Sequence, residues 1–257
     1  TPFVIQATCL LAMNQPLDTA HPRHEAVGPS YSIAGMQHAA TQTMLAVQQI
    51  AAQLRPGMSA AQAQDIANAT MQAMGAERTW HPHLVRIGSD TQKIYSEQDD
   101  TSLVLGEEDI FFIDLGLVFN GQEGDAGATF TLGENAEMQA CAQAAETIWQ
   151  HTAQYWLQGA SHGKPDGCTG NDAAGRTGAE LYAYAAEQAA RMGYVLNPAI
   201  KGHRLSDYPH ATHQAVRLAD YTGVVHDSLW VLEIQIRHPQ QPFGAFYEAL
   251  LSKSLAA

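Results

Sequence analysis

The first chemical signal is a pair of carboxylates. Phe111-Phe112-Ile113-Asp114-Leu115-Gly116-Leu117-Val118-Phe119 is an apolar run broken by one acid, and Asn120-Gly121 follows it, the dipeptide most typical of a two-residue hairpin turn. Such a turn sets Phe119 against Gln122 and Asp114 against Gly127. Asp125, two residues before Gly127, then shares a face with Asp114 as its diagonal neighbour, about 5–8 Å away. Two acids at that range in an apolar sheet must share a proton or a cation. On the hairpin alone, a plainer reading leaves Asp125 at the loop end and Asp114 capping an amide.

Two later stretches strengthen the case. Val231-Leu232-Glu233-Ile234 and Tyr247-Glu248-Ala249-Leu250-Leu251 each place an acid inside an apolar strand-like run. Between Gly202 and His213 stand three imidazoles, His203, His210 and His213. Carboxylates with imidazole are the donor types for hard-to-borderline divalent ions such as Mn, Fe, Co or Zn. A Gly/Pro-containing loop carrying three histidines is also compatible with an ordinary surface loop.

The elements that must position these residues can be read from periodicity and caps. Apolar residues at helical spacing predict a helix from Ile33 to Leu54, ended by Pro56-Gly57. Ser59 with Gln62 is a capping box that opens a second helix to Met74, closed by Gly75. Strands are expected over His83–Gly88, Ile110–Phe119 and Asp125–Leu132. Asn135 caps a third helix to about Trp156, and a fourth is expected from about Asp172 to Met192. Further strands are expected near Tyr194–Ile200, Leu229–Ile236 and Phe246–Leu251. Two helices followed by strands, twice over, imply a duplicated α+β unit. Residues 1–30, with four prolines and weak periodicity, read as an irregular arm. Residues 31–257 read as a single catalytic domain.

In this order the residues resemble the pita-bread metallopeptidases: methionine aminopeptidase, aminopeptidase P, prolidase and creatinase. The resemblance runs from Ile33 to Ser252. AVQQIAAQLRPGMSAAQAQDI looks like the family's helix–PGMS–helix entry, and IDLGLVFNGQEGDAGATF like its DxG…GYxxDxTRTF hairpin. GHRLSDYPH resembles its GHGIGLxxHE loop, and FGAFYEALL its closing strand. The resemblance implies an α+β pita-bread fold, with two pseudo-symmetric halves of helices packed on a curved, mainly antiparallel sheet. It implies two divalent ions: Asp114 chelating one, Asp125 and Glu248 bridging, and His203 and Glu233 completing the second. It assigns His210 to the substrate carbonyl and gives Glu233 a share in proton movement. A homodimer is a family habit, left open here.

Several positions depart from the family pattern. Tyr95 stands where the family usually has a histidine, so Tyr95 becomes a candidate catalytic and substrate-binding residue. Arg204 replaces a small glycine after His203 and could fill or charge the pocket. Ala128 replaces an arginine, and Ile234 a proline. His213 and His238 are extra imidazoles, with His213 a candidate substrate contact. No metal ligand is lost. The implied activity is a divergent dinuclear-metal hydrolase, aminopeptidase- or dipeptidase-like, cleaving a peptide, an amino-acid amide or a related small C–N bond. The alternatives are an iron-dependent oxygenase or biosynthetic lyase on the same scaffold, or a non-catalytic binding module.

Composition bounds these readings. The 257 residues carry 26 acidic against 13 basic side chains, a net charge of −13. That excess argues against nucleic acid as a partner, because phosphate binding needs clustered Lys and Arg. No apolar run is long enough to cross a membrane. Cys9, Cys141 and Cys168 are few and far apart, as free thiols in a reducing compartment would be. Thr1 to Met13 lack a basic n-region and a clear cleavage site. A cytoplasmic protein acting on a small molecule or peptide is the expectation.

Overall fold

The computed structural model describes residues 23–161, 175–209 and 216–255. After a single 3₁₀ turn at Arg23–Glu25 come helices α1 (Ile33–Ala51) and α2 (Ala60–Ala73) and strands β1 (Arg78–Thr79), β2 (Leu84–Ile87), β3 (Asp109–Phe119) and β4 (Gln122–Leu132). Helices α3 (Ala136–Ser161) and α4 (Gly178–Arg191) open the second run, with β5 (Val195–Leu196), β6 (His203–Arg204), β7 (Trp230–Arg237) and β8 (Gly244–Leu250). The strands form one antiparallel sheet in the order β1-β3-β4-β8-β7-β5, with β2 added to β3 and β6 to β7.

Local chemistry explains most boundaries. Ser59 and Gln62 form the expected reciprocal capping box. Asn135 Oδ1 accepts from the amides of Glu137 and Met138, 3.1 Å from each. Gly75 and Gly193 follow α2 and α4 at φ 75° and 84°, the left-handed geometry that ends a helix cheaply only at glycine. The fourth helix, expected from about Asp172, spans Gly178–Arg191. A second capping box, Thr177 with Glu180, fixes its start; Gly175 and Arg176 stay outside it, and 172–174 lie outside the described residues. The strand expected over Tyr194–Ile200 is reduced to two residues, because Asn197 turns its side chain onto Ala199 N and Gln235. The chain past Ile87 winds into a 3₁₀ turn at Gly88–Gln92.

The period-two alternation of the strands separates two faces. Phe111, Ile113, Leu115, Leu117 and Phe119 of β3 pack with Ala39, Val47 and Ile50 of α1 in one apolar cluster. Trp230, Leu232, Ile234 and Ile236 of β7 pack with Ile148 and Trp149 of α3 and Leu181 of α4 in another. Each fully buried side chain of this size contributes about 1.5–3 kcal/mol. The helices thus cover one face of the sheet, with one core under each hairpin. The opposite face carries Asp114, Asp125, Glu233 and Glu248.

The described part of the arm is held down. Glu25 is fully buried and accepts from Trp230 Nε1 at 2.7 Å, from the amide of His226 and from the His226 ring. Asp207 accepts from Gly28 N (2.8 Å), Ser30 N (3.0 Å) and Ser30 Oγ (2.8 Å). Among the described residues, no helix is long and apolar enough to cross a membrane.

Candidate metal centre

The Asn120-Gly121 turn forms as its residue types demand, with φ 51° and 70°. It sets Phe119 against Gln122, Asp114 against Gly127 and Gly116 against Asp125. The register then continues across the sheet. Gly127 of β4 pairs with Glu248 of β8, and Glu248 with Glu233 of β7. Asp114, Gly127, Glu248 and Glu233 therefore form one row across four strands, with Asp125 two residues along β4. Gly127 is required in this row, because a Cβ there would lie 2.6 Å from Phe246 Cε1.

His203 enters from β6, paired with Val231 two residues before Glu233. Its Nε2 is 2.9 Å from Asp125 Oδ2 and 3.3 Å from Glu233 Oε1. Ligand atoms of Asp125, His203 and Glu248 lie within 4.8 Å of one another, as do those of His81, Asp114 and Asp125. Glu233 Oε2 accepts from Gly202 N at 3.1 Å, and the Tyr182 hydroxyl donates to the Glu233 carbonyl at 2.9 Å. These bonds fix the acid and its strand from behind.

The donor set fits a divalent cation on two grounds. Asp114 Oδ1 and Glu248 Oε1 are buried without a hydrogen-bond partner among the described residues, an arrangement that costs about 1–3 kcal/mol per oxygen unless something neutralises it. The acids also perturb one another. Burial, and then the charges of Asp114, Asp125 and Glu233, push the Glu248 carboxyl well above its ordinary range. Burial raises Asp114 to about 6, opposed by the His81 charge and reinforced by Asp125. Asp125 goes the other way, to about 2: burial would raise it, but His81 and His203 outweigh that. Burial pulls the His203 imidazole down, and its bonds to Asp125 and Glu233 more than reverse this, holding it well above 6.5. Without an ion the cluster must hold protons; with one, the same oxygens and imidazoles are donors.

The five ligands implied by the sequence, Asp114, Asp125, His203, Glu233 and Glu248, are thus brought together. His210 and His213 lie outside the described residues. Tyr95 stands at the cavity mouth, 51% exposed, its ring centroid 6.2 Å from that of His81. Arg204 is turned off the carboxylate row. Strand alternation aims it opposite to His203, and it donates to Leu229 O at 2.7 Å and Ala26 O at 3.0 Å, above the Trp230 ring. Its head group braces the arm, and the residue also lines the cavity over the row. Ala128 and Ile234 are buried with the apolar clusters, where an arginine or a kink would be out of place.

One site residue was not singled out in the sequence. His81 lies in the turn between β1 and β2, with Nε2 3.3 Å from Asp125 Oδ1 and 3.7 Å from Asp114 Oδ1. Burial lowers its affinity for protons, yet the Asp125 and Asp114 charges raise its pKa to about 9. The available signal was Trp80-His81-Pro82-His83, two imidazoles around a proline just before a strand.

An open sheet with helices on one face and an acid–imidazole cluster on the other is the pita-bread fold with its metal-binding face. The chain belongs to metallopeptidase family M24, whose family model matches residues 34–250. Solved structures agree on the fold. An X-Pro aminopeptidase from Thermotoga maritima superposes with a TM-score of 0.64 at 20% identity, over 84% of this chain and 56% of that one. A prolidase from Pyrococcus horikoshii gives 0.65 at 18%, over 90% and 61%. A methionine aminopeptidase from Thermotoga maritima gives 0.59 at 15%, over 86% and 90%. The chain therefore spans 56% and 61% of the first two. No curated protein matches it in sequence.

Proposed function

We propose that this chain is a dinuclear-metal hydrolase that cleaves a peptide, an amino-acid amide or a related small C–N bond. The observation that carries the reading is the cluster of four acids, one from each of β3, β4, β7 and β8, with Asp114 Oδ1 and Glu248 Oε1 buried and without a hydrogen bond among the described residues. Asp114, Asp125 and Glu248 would hold one ion, and Asp125, Glu248, His203 and Glu233 the other. When bound, such ions supply a water acidified toward neutral pH and positive charge for a developing oxyanion.

The chain's own groups do the rest. Glu233 keeps Oε1 toward His203 and Oε2 on the Gly202 amide, so it is held to accept a proton from the attacking water and pass it to the leaving amine. The cavity over the row measures about 750 Å³, enough for a short peptide. Trp80, Phe112 and Phe246 give it apolar walls, and Arg217 lines it with a positive charge, while the lining Lys93 and Lys201 are paired with Asp90 and Asp220. Arg217 supports a small substrate with an anionic end. Tyr95, which lines the same cavity, would donate a hydrogen bond to such a substrate.

The test is metal content by elemental mass spectrometry on the anaerobically purified protein and on Asp125→Ala, followed by peptide and amide turnover. About two equivalents of Mn, Co or Zn, lost in the variant together with turnover, is the expected result. Turnover that survives both Asp125→Ala and chelation would overturn the reading. Iron with substrate-dependent oxygen uptake and no hydrolysis would replace it with the oxygenase.

A further inference from the structure

The sheet is hollowed at one point to admit a side chain from outside the row of acids. A Cβ at Gly116 would lie 2.1 Å from His81 Cδ2 and 2.8 Å from Trp80 Cε2. Only a residue without a side chain leaves this space, and Gly116 sits directly opposite Asp125. The segment entering the hollow is fixed at both ends of Trp80: its amide donates to Gly116 O at 3.0 Å, and its Nε1 to Gly124 O at 3.0 Å. The Trp80 ring also meets both His81 and His203 edge-on, at 4.4 and 5.5 Å between centroids.

The two imidazoles are built alike. His81 Nδ1 is 2.8 Å from the Pro82 carbonyl, and His203 Nδ1 is 3.0 Å from the Arg204 carbonyl. A carbonyl only accepts, so in each ring Nδ1 carries the hydrogen and Nε2 is the nitrogen turned to the acids. Metal-bound histidines are characteristically oriented by such an outer hydrogen bond. The spacings are also close to those of donors around one ion. Atoms about 2.0–2.2 Å from a metal are about 3–3.6 Å from each other. His81 Nε2 lies 3.3 Å from Asp125 Oδ1, within that range, and 3.7 Å from Asp114 Oδ1, just beyond it; that Asp114 oxygen has no hydrogen bond among the described residues.

We infer that His81 is a direct ligand of the ion held by Asp114 and Asp125, so that the centre has an imidazole at each end and six protein ligands in all. The inference rests on the dinuclear-metal reading above. Its chemical consequence is a donor set shifted from hard oxygen toward nitrogen at the Asp114 end. That favours Zn, Co or Fe over Mg and Ca there.

The test is a Co(II) titration of the metal-stripped full chain against a competing chelator, for the native sequence, His81→Ala and His203→Ala. We expect His81→Ala to weaken one of the two binding events at least tenfold and to alter the visible cobalt spectrum, with His203→Ala weakening the other. Affinity within twofold and an unchanged spectrum in His81→Ala, with the native chain binding normally, would overturn the His81 inference alone. A native chain that binds no Co(II) would overturn the metal reading with it. Proton NMR of the Co(II)-loaded native chain decides the matter if the variant fails to fold. The Nδ1 hydrogens of His81 and His203 should give two hyperfine-shifted, solvent-exchangeable signals, and a single signal would overturn the inference.

Discussion

Stripping the metal should make the protein's stability fall steeply between pH 6.5 and 9. In the ion-free cluster, His81 is raised from 6.5 to about 9 by the Asp125 and Asp114 charges, which overcome its burial. A group whose pKa is raised on folding stabilises the folded state fully below its unfolded value, and this contribution disappears as the pH climbs through the folded one. At about 1.4 kcal/mol per pH unit, the His81 contribution is about 3 kcal/mol. The other perturbed groups do not oppose it in this window. Asp125, lowered to about 2, acts below pH 3.8, and Asp114, raised to about 6, completes its effect below the window. His203 and Glu248 are both raised, so any part of their titration within the window has the same sign. For a chain of this size, about 3 kcal/mol corresponds to roughly 6–12 °C in Tm. Calorimetry in excess chelator from pH 6 to 9 would measure it. The metal-loaded protein should show little of this fall, because its imidazoles are neutral donors. A flat Tm across the window in chelator, for a protein that is folded throughout, would refute the charged His81–Asp125–Asp114 cluster.

Two further outcomes follow from the geometry. Arg204→Ala leaves Ala26 O without its guanidinium donor and Leu229 O with the Leu205 amide alone, so we expect a loss of about 1–3 kcal/mol by denaturant unfolding with Co(II) affinity unchanged; an unaltered midpoint with a raised KM would instead put Arg204 in contact with substrate. Gly127→Ala drives a methyl to 2.6 Å from Phe246 Cε1 and 3.0 Å from Ile113 O. This should destabilise by about 1–3 kcal/mol and weaken metal binding, which a thermal melt and a Co(II) titration would show.

The hairpin was legible in the sequence because everything that fixes it is local. Asn120-Gly121 selects the turn, the turn selects the register, and the register puts Asp114 and Asp125 on one face. Glu233 and Glu248 could be recognised as acids inside apolar strands. Their direct pairing, and the pairing of Glu248 with Gly127, depends on which strands become neighbours. His81 escaped notice for the same reason. Its relation to Asp125 passes through the β1–β3 pairing and the hollow at Gly116, neither visible in the local pattern. Arg204 could be seen to differ from glycine, but the direction of its side chain follows from β6 pairing with β7. The start of α4 was readable in principle: Thr177 and Glu180 form the same kind of cap as Ser59 and Gln62.

The row of acids crosses the place where the two hairpins meet. There β4 and β8 are joined by the Gly127–Glu248 pair and by Thr129, whose hydroxyl donates to Phe246 O at 2.8 Å and accepts from Phe246 N at 2.7 Å. Asp114, Asp125 and His81 come from one side of this seam, and His203, Glu233 and Glu248 from the other. A chain with only one hairpin in place offers half a donor set, and an ion held by both sides would add a cross-link to the hydrogen bonds that already join them. Tight loading would then report completed assembly, and withdrawal of the ion would loosen the molecule first along this line.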